Sequence, residues 1–117
     1  MSLNKIFCLK KAVKSSSYKK REIEEIDYKK FNKLINQNDV IVIDVRSKQE
    51  FLEGHLTGAI NIPLNEVENK IENKVMDKNA IIIVYCQYGA RSKKAQDKLK
   101  NMGYKNVYNL KDGIEGF

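Results

Sequence analysis

The stretch A-I-I-I-V-Y-C-Q-Y-G-A-R-S, Ala80 to Ser92, decides the reading of this chain. It opens on an unbroken apolar run rich in β-branched residues. Such a run fits a strand buried on both faces, as in a parallel sheet covered by helices. The character then changes at once to a cysteine, a glycine three positions on, an arginine and a serine. The following S-K-K-A-Q-D-K-L-K-N-M-G places Ala95, Leu99 and Met102 at helical spacing, with Gly103 as the stop. The order is therefore strand, tight loop, helix N-terminus, the helix beginning near Arg91 or Ser92. The loop falls at the carboxyl end of a strand, where open α/β sheets bind ligands.

The same alternation extends outward on both sides. V-I-V-I-D-V (Val40–Val45) is a second strand of the buried kind, and E-I-E-E-I (22–26) alternates like a short edge strand. Between them Tyr28, Phe31, Leu34 and Ile35 share one helical face, with Asp27 placed as N-cap. S-K-Q-E-F-L-E-G-H reads as a short helix capped by Ser47 and stopped near Gly54. A-I-N-I-P is a brief strand ended by Pro63, and Leu64, Val67 and Ile71 return to helical spacing. N-V-Y-N-L is a last short strand, and G-I-E-G-F closes the chain. Strands alternating with helices predict an α/β fold, a parallel sheet with helices on both faces.

A glycine in the loop lets a tight turn point successive N–H groups inward, and a helix start adds unpaired N–H groups and a positive dipole end. The loop is thus built to hold an anion around the sulfur of Cys86, and the first anion it favours is the thiolate. Bringing a thiol from about 8.5 to about 6.5 needs roughly 2.7 kcal/mol. A helix terminus supplies about 0.3–1 and at most about 2 kcal/mol. Inward N–H groups or the charge of Arg91 must supply the remainder.

Length and composition fit one domain of an ordinary globular protein: 117 residues, 42% apolar and 32% charged. No apolar run reaches the length of a membrane span, and the N-terminus lacks the unbroken apolar stretch of a signal peptide. Cys8 does not follow the small residues that precede a lipoprotein cysteine. A cytoplasmic location is expected. Two distant cysteines and a single histidine, His55, make no disulfide framework, exclude a dithiol motif and argue against a zinc site. The net charge of +7 is confined to residues 1–21, which carry seven basic side chains and no acidic one. Residues 22–117 hold 15 of each sign, so the basic balance is weak evidence for a nucleic-acid binder. Residues 1–21 read as a mobile, solvated tail, with Ser15–Ser17 as linker and residues 22–117 as the domain. The competing reading is a surface contact of Leu3, Ile6, Phe7 and Val13, flanked by lysines, with anionic lipid or an acidic partner.

Three segments in order resemble the signatures of the rhodanese-like sulfurtransferase family. I-D-V-R-S-K-Q-E-F-L-E-G-H-L-T-G-A-I-N-I-P (Ile43–Pro63) is similar to the first signature. C-Q-Y-G-A-R-S is similar to the active loop C-x-x-G-x-R-S, and G-Y-K-N-V-Y-N-L-K-D-G-I-E-G-F to the closing signature. The resemblance implies a five-stranded parallel sheet and covalent sulfur transfer with no cofactor. Cys86 would accept a sulfane sulfur from thiosulfate or a persulfide, cradled by Gln87, Tyr88, Gly89, Ala90, Arg91 and Ser92. It would then pass the sulfur to a thiol or cyanide, or to a protein acceptor. Asp44 and Arg46 match the family's D-x-R and are expected to act structurally, Asp44 holding loop backbone and Arg46 pairing with Glu50. His55 resembles the family's structural histidine rather than a base.

The sequence departs from the family at four places. Gln87 and Tyr88 are neutral where members that prefer thiosulfate are often basic, which favours a persulfide donor. Asp112 stands for the first closing glycine and Phe117 for the tryptophan. A phosphatase or arsenate reductase of related fold uses H-C-x5-R. Here the spacing is C-x4-R with Tyr85 before the cysteine, a loop one residue too short for phosphate. A non-catalytic binding module typically lacks the cysteine that this chain keeps. A carrier loaded by a partner enzyme remains open. Cys8 is expected to be incidental rather than a resolving thiol.

Overall fold

The computed structural model describes residues 24–117. The tail, its linker, Cys8 and the start of the 22–26 segment lie outside the described residues. The described part of that segment is β1 (Glu25–Ile26). α1 (Tyr28–Gln37) follows, then β2 (Val40–Asp44), α2 (Lys48–Glu53) and β3 (Ile60–Asn61). A 3-10 turn at Leu64–Glu66 leads into α3 (Val67–Lys74), then β4 (Ile81–Tyr85), α4 (Ala90–Asn101) and β5 (Asn106–Leu110). A second 3-10 turn, Ile114–Gly116, completes the order.

The expected helix caps are in place. Asp27 accepts the Lys30 N–H at 2.9 Å. Ser47 Oγ accepts the Glu50 N–H while the Glu50 carboxylate accepts the Ser47 N–H, a reciprocal capping box. Helix α4 begins at Ala90, slightly before the expected start, because Gly89 already takes the N-cap position. On α1, Phe31 is buried, but Tyr28 and Ile35 are 47% and 38% exposed. The helix therefore buries a narrower stripe than its spacing predicts.

All five strands are parallel, in the order β1-β5-β4-β2-β3. The central strand β4 explains the unbroken apolar run. Ile82 and Val84 pack into a core with Ile71 of α3 and Ala95 and Leu99 of α4. Ile83 and Tyr85 face a second core with Phe31 of α1, Ile26 and Leu110. Each face is closed by helix, so neither set of alternate residues meets water. From β2 the chain runs outward to β3, then crosses back over β2 to β4. The carboxyl ends of β2 and β4 therefore lie side by side, with Asp44 in register with Tyr85. Such a change of direction is where parallel sheets open a binding crevice.

Candidate active site

Strands β2 and β4 stay paired to their ends, where the Val45 N–H donates to the Tyr85 carbonyl at 3.0 Å. Cys86 comes next and is 1% exposed. The chain turns through Gln87 and Tyr88 to Gly89, whose φ of 105° and ψ of −14° lie in the left-handed region. Glycine enters that region at little cost. Space demands it too, since a Cβ on Gly89 would stand 2.2 Å from the Lys111 carbonyl oxygen.

This turn aims donors at the sulfur. The Gly89 N–H reaches Cys86 Sγ at 3.1 Å and the Ser92 N–H at 3.4 Å, with Ser92 Oγ also at 3.4 Å. The Ser92 N–H belongs to the first turn of α4 and has no partner within the helix. Burial opposes a charged sulfur. Hydrogen bonding from the Ser92 hydroxyl and N–H, and from the Gly89 and Tyr88 N–H groups, outweighs it. The Cys86 thiol is held below its ordinary value.

The segment after β5 braces the loop from beneath. The Ile114 N–H donates to the Cys86 carbonyl at 2.9 Å and the Glu115 N–H to the Gln87 carbonyl at 3.1 Å. A Cβ on Gly113, with φ of 65°, would lie 2.3 Å from the Gln87 oxygen and 2.6 Å from the Cys86 oxygen. Gly113 is thus the closing glycine that packing requires, while Asp112 is exposed. The Phe117 ring meets Tyr28 and Phe31 edge to face at 4.4 and 5.5 Å, so the substituted aromatic keeps an aromatic contact.

The expected Arg46–Glu50 pair does not form. Arg46 precedes α2, so the spacing rule for neighbours on a helix does not apply to it. Its side chain folds back on Asp44 instead, with Nη2 2.8 Å and Nε 3.1 Å from the carboxylate oxygens, both residues being buried. Arg46 also donates to the Gly54 carbonyl at 2.6 Å and to Gln87 Oε1 at 3.3 Å. Asp44 holds loop backbone as expected, accepting the Arg46 N–H at 2.9 Å. Glu50 takes Arg91 as its partner, in a two-pronged pair of 2.7 and 3.0 Å. Arg91, with help from Ser47, holds the Glu50 carboxyl down to about 2. The charge of Arg91 is thus largely answered by Glu50, and the sulfur depends on N–H and hydroxyl donors.

The remaining loop residues divide by role. The Gln87 amide donates to Glu115 and accepts from Arg46, which ties the loop to β2 and to the closing segment. Tyr88 is 71% exposed beside the cysteine. Among the described residues, Gln87, Ala90 and Arg91 make no hydrogen bond to the sulfur. His55 is exposed, stacks on Phe51 at 3.7 Å and donates from Nδ1 to the Phe51 carbonyl at 2.8 Å, closing the end of α2. Beside Arg91 lies a cavity of about 460 Å³ with Val45, Pro63 and Leu64 as apolar wall and Ser47 and Lys98 among its polar lining. Among the described residues no cluster of His, Cys, Asp and Glu could hold a metal ion, and no helix is long and apolar enough to cross a membrane.

Sequence reasoning missed Glu50 as the partner of Arg91 and Asn109 as a site residue. The Ser47-x-x-Glu50 spacing signals the capping box but not the bond across to α4. Asn109 was visible only as a polar residue inside a strand; it is 2% exposed and lies against Ser92.

The family profile described as "Rhodanese-like domain" matches residues 27–117. The chain belongs to the rhodanese-like family. Among its rhodanese-like relatives is the thiosulfate sulfurtransferase PspE of Escherichia coli (strain K12), 47% identical over 73 residues, which are 60% of this chain and 70% of that protein. A tRNA uridine(34) hydroxylase of Pelagibacter ubique (strain HTCC1062) is 38% identical over 101 residues, 86% of this chain. The chain spans only 34% of that longer protein. Among solved structures, one described as a rhodanese with anions from E. coli superposes with a TM-score of 0.63 at 39% identity. It covers 68% of this chain and 92% of its own. The rhodanese-like fold expected from sequence, a five-stranded parallel sheet between helices, is the fold observed.

Proposed function

We propose that this protein is a sulfurtransferase in which Cys86 carries the sulfur. The observation that carries this reading is the convergence of the Gly89 and Ser92 N–H groups on a buried sulfur at 3.1 and 3.4 Å. The Cys86 thiolate attacks the sulfane sulfur of a donor, and the donor's S–S bond breaks. The leaving group, sulfite from thiosulfate or a thiolate from a persulfide, departs with the electron pair. The outer sulfur of the resulting Cys86 persulfide is then attacked by an acceptor thiolate, which returns Cys86 as thiolate. Tyr88 N–H and the rest of the Gln87–Ser92 loop form the cradle, Asp44, Arg46 and His55 brace its surroundings, and no metal or cofactor takes part. A cytoplasmic setting suits a free reactive thiol. A role as sulfur carrier to a partner enzyme uses the same persulfide.

The test is an intact-protein mass spectrum after brief exposure to thiosulfate, and separately to a low-molecular-weight persulfide. The expected result is a gain of one sulfur atom that dithiothreitol removes. No gain from either donor would overturn the reading.

The Arg91–Glu50 pair makes a prediction about donor choice. Thiosulfate is a dianion, and the loop offers it no free cation, because Gln87 and Tyr88 are neutral and Arg91 is held by Glu50. A persulfide donor is therefore preferred. Glu50→Gln keeps the capping box, which glutamine also forms, but leaves the Arg91 charge unanswered. The KM for thiosulfate is expected to fall by about three- to tenfold, since a partly exposed charge is worth about 1 kcal/mol, with a smaller change for a persulfide, which carries less negative charge than the thiosulfate dianion. Steady-state kinetics with both donors check this; an equal change for both would show that Glu50 acts only on loop shape.

A further inference from the structure

Behind the sulfur lies a buried polar cluster in which Ser92 touches the sulfur and Asn109 does not. Asn109, on β5, places Nδ2 3.3 Å from the Gly89 carbonyl and 3.3 and 3.4 Å from the two Glu25 carboxylate oxygens. These are acceptors, so the amide must present its NH2 to them. Its Oδ1 is thereby turned to Ser92 Oγ, 2.5 Å away. Two oxygens at that distance share a proton, and only the serine has one to give. The Ser92 hydroxyl has a single hydrogen and two competing acceptors, the Gly89 carbonyl at 3.1 Å and Cys86 Sγ at 3.4 Å. The better-placed acceptor takes it.

We propose that Asn109 is a positioning residue that draws the Ser92 hydroxyl proton away from Cys86 and so holds the sulfur less reactive than its loop could make it. When the thiol ionises, the hydroxyl can serve the sulfur only by leaving Asn109, and the thiolate gains the difference between two hydrogen bonds. The Gly89 and Ser92 N–H groups have no such competitor and serve the sulfur throughout.

The charged groups around the cluster are paired. Behind Asn109, Glu25 of β1 meets Lys93 of α4 at 3.3 Å. Around the loop, Arg91 meets Glu50 of α2, Arg46 meets Asp44 of β2, and Glu115 accepts from Gln87. None of these pairs includes Ser92, and of their members Asn109 touches only Glu25, which keeps Lys93 as its partner when Asn109 is replaced.

The inference rests on Cys86 as the nucleophile, but its test needs no donor or acceptor. The pH dependence of Cys86 alkylation by iodoacetamide, read by mass spectrometry, reports the sulfur alone. Asn109→Leu removes the nearest acceptor, and a thiolate draws the hydroxyl more strongly than the neutral Gly89 carbonyl does, so the midpoint is expected to move down by roughly half to one pH unit, a three- to tenfold faster alkylation on the acid side. Ser92→Ala removes the hydroxyl and moves it up. In the Ser92→Ala background, Asn109→Leu then does nothing. Two partners of one hydrogen bond thus shift the sulfur in opposite directions, which a merely structural bond does not do. Asn109→Ser, smaller and a weaker acceptor, shifts it down by less and serves if the leucine variant fails to fold. A midpoint that stays or rises in the folded Asn109 variants, or falls equally without the Ser92 hydroxyl, overturns the proposal. If the sulfur-loading experiment failed while these opposite shifts appeared, the transfer function would fall and the Asn109 role would stand.

Discussion

Cys86→Ser abolishes sulfur loading, with transfer from either donor falling at least about a thousandfold. The loss comes from the nucleophile alone. A serine hydroxyl ionises far above the physiological range, and N–H donors at 3.1 and 3.4 Å cannot bring it down to neutral pH. A thousandfold is about 4.1 kcal/mol of barrier. The fold should not follow the activity down. Cys86 packs at the edge of the core, and a serine Oγ in its place can accept the same Gly89 N–H, so the stability change should stay within about 1 kcal/mol. The measurement pairs the intact-mass assay with a thermal melt. Loading that survives in a folded Cys86→Ser protein would place the sulfur elsewhere.

Gly89→Ala is expected to damage both stability and reactivity. Two costs fall on one methyl group. A left-handed residue other than glycine costs about 1–2 kcal/mol. Beyond that, the new Cβ would stand 2.2 Å from the Lys111 carbonyl oxygen and 3.0 Å from its carbon, a backbone that cannot swing aside as a side chain can. Relief requires the loop and the segment after β5 to separate, which lengthens the Gly89 N–H···Sγ contact and raises the thiol. The total should reach about 3 kcal/mol or more. Gly58→Ala supplies the control, because Gly58 also has positive φ, 83°, but a Cβ there meets nothing within 4 Å. It should lose only the left-handed cost and leave Cys86 untouched. Melting temperatures and alkylation rates of the two variants separate strain from collision, and equal losses would show that the contact with Lys111 is of no consequence.

Local chemistry was legible in the sequence; chemistry between elements was not. β4, Cys86, Gly89 and α4 form one continuous stretch, and each step has a signal: the β-branched run, the glycine, the helical spacing. The caps at Asp27 and Ser47 were legible for the same reason. The error over Arg46 came from applying helical proximity to a residue that lies before the helix. Its true partner, Asp44, is nearer in sequence but is reached by the chain doubling back. Arg91 and Glu50 are 41 positions apart, and no periodicity carries such a pair. Gly113 was legible as part of a signature, but only packing shows why Asp112 beside it is tolerated. Asn109 offered the faintest sign, an amide at a strand position facing inward.

The bracing of the loop has a consequence for how the protein comes to be. Asn109 bonds Glu25 across 84 positions of sequence, and β5 sits between β1 and β4. Contacts of such separation are slow to close. The carbonyls of Cys86 and Gln87 find their donors on Ile114 and Glu115, residues that leave the ribosome well after the cysteine. A nascent chain that has passed α4 therefore carries the entire C-x-x-G-x-R-S motif without the support that shapes it. The thiol exists before the site does. Its reactivity depends on the segment after β5, because the Cys86 and Gln87 carbonyls are held only once Ile114 and Glu115 are in place.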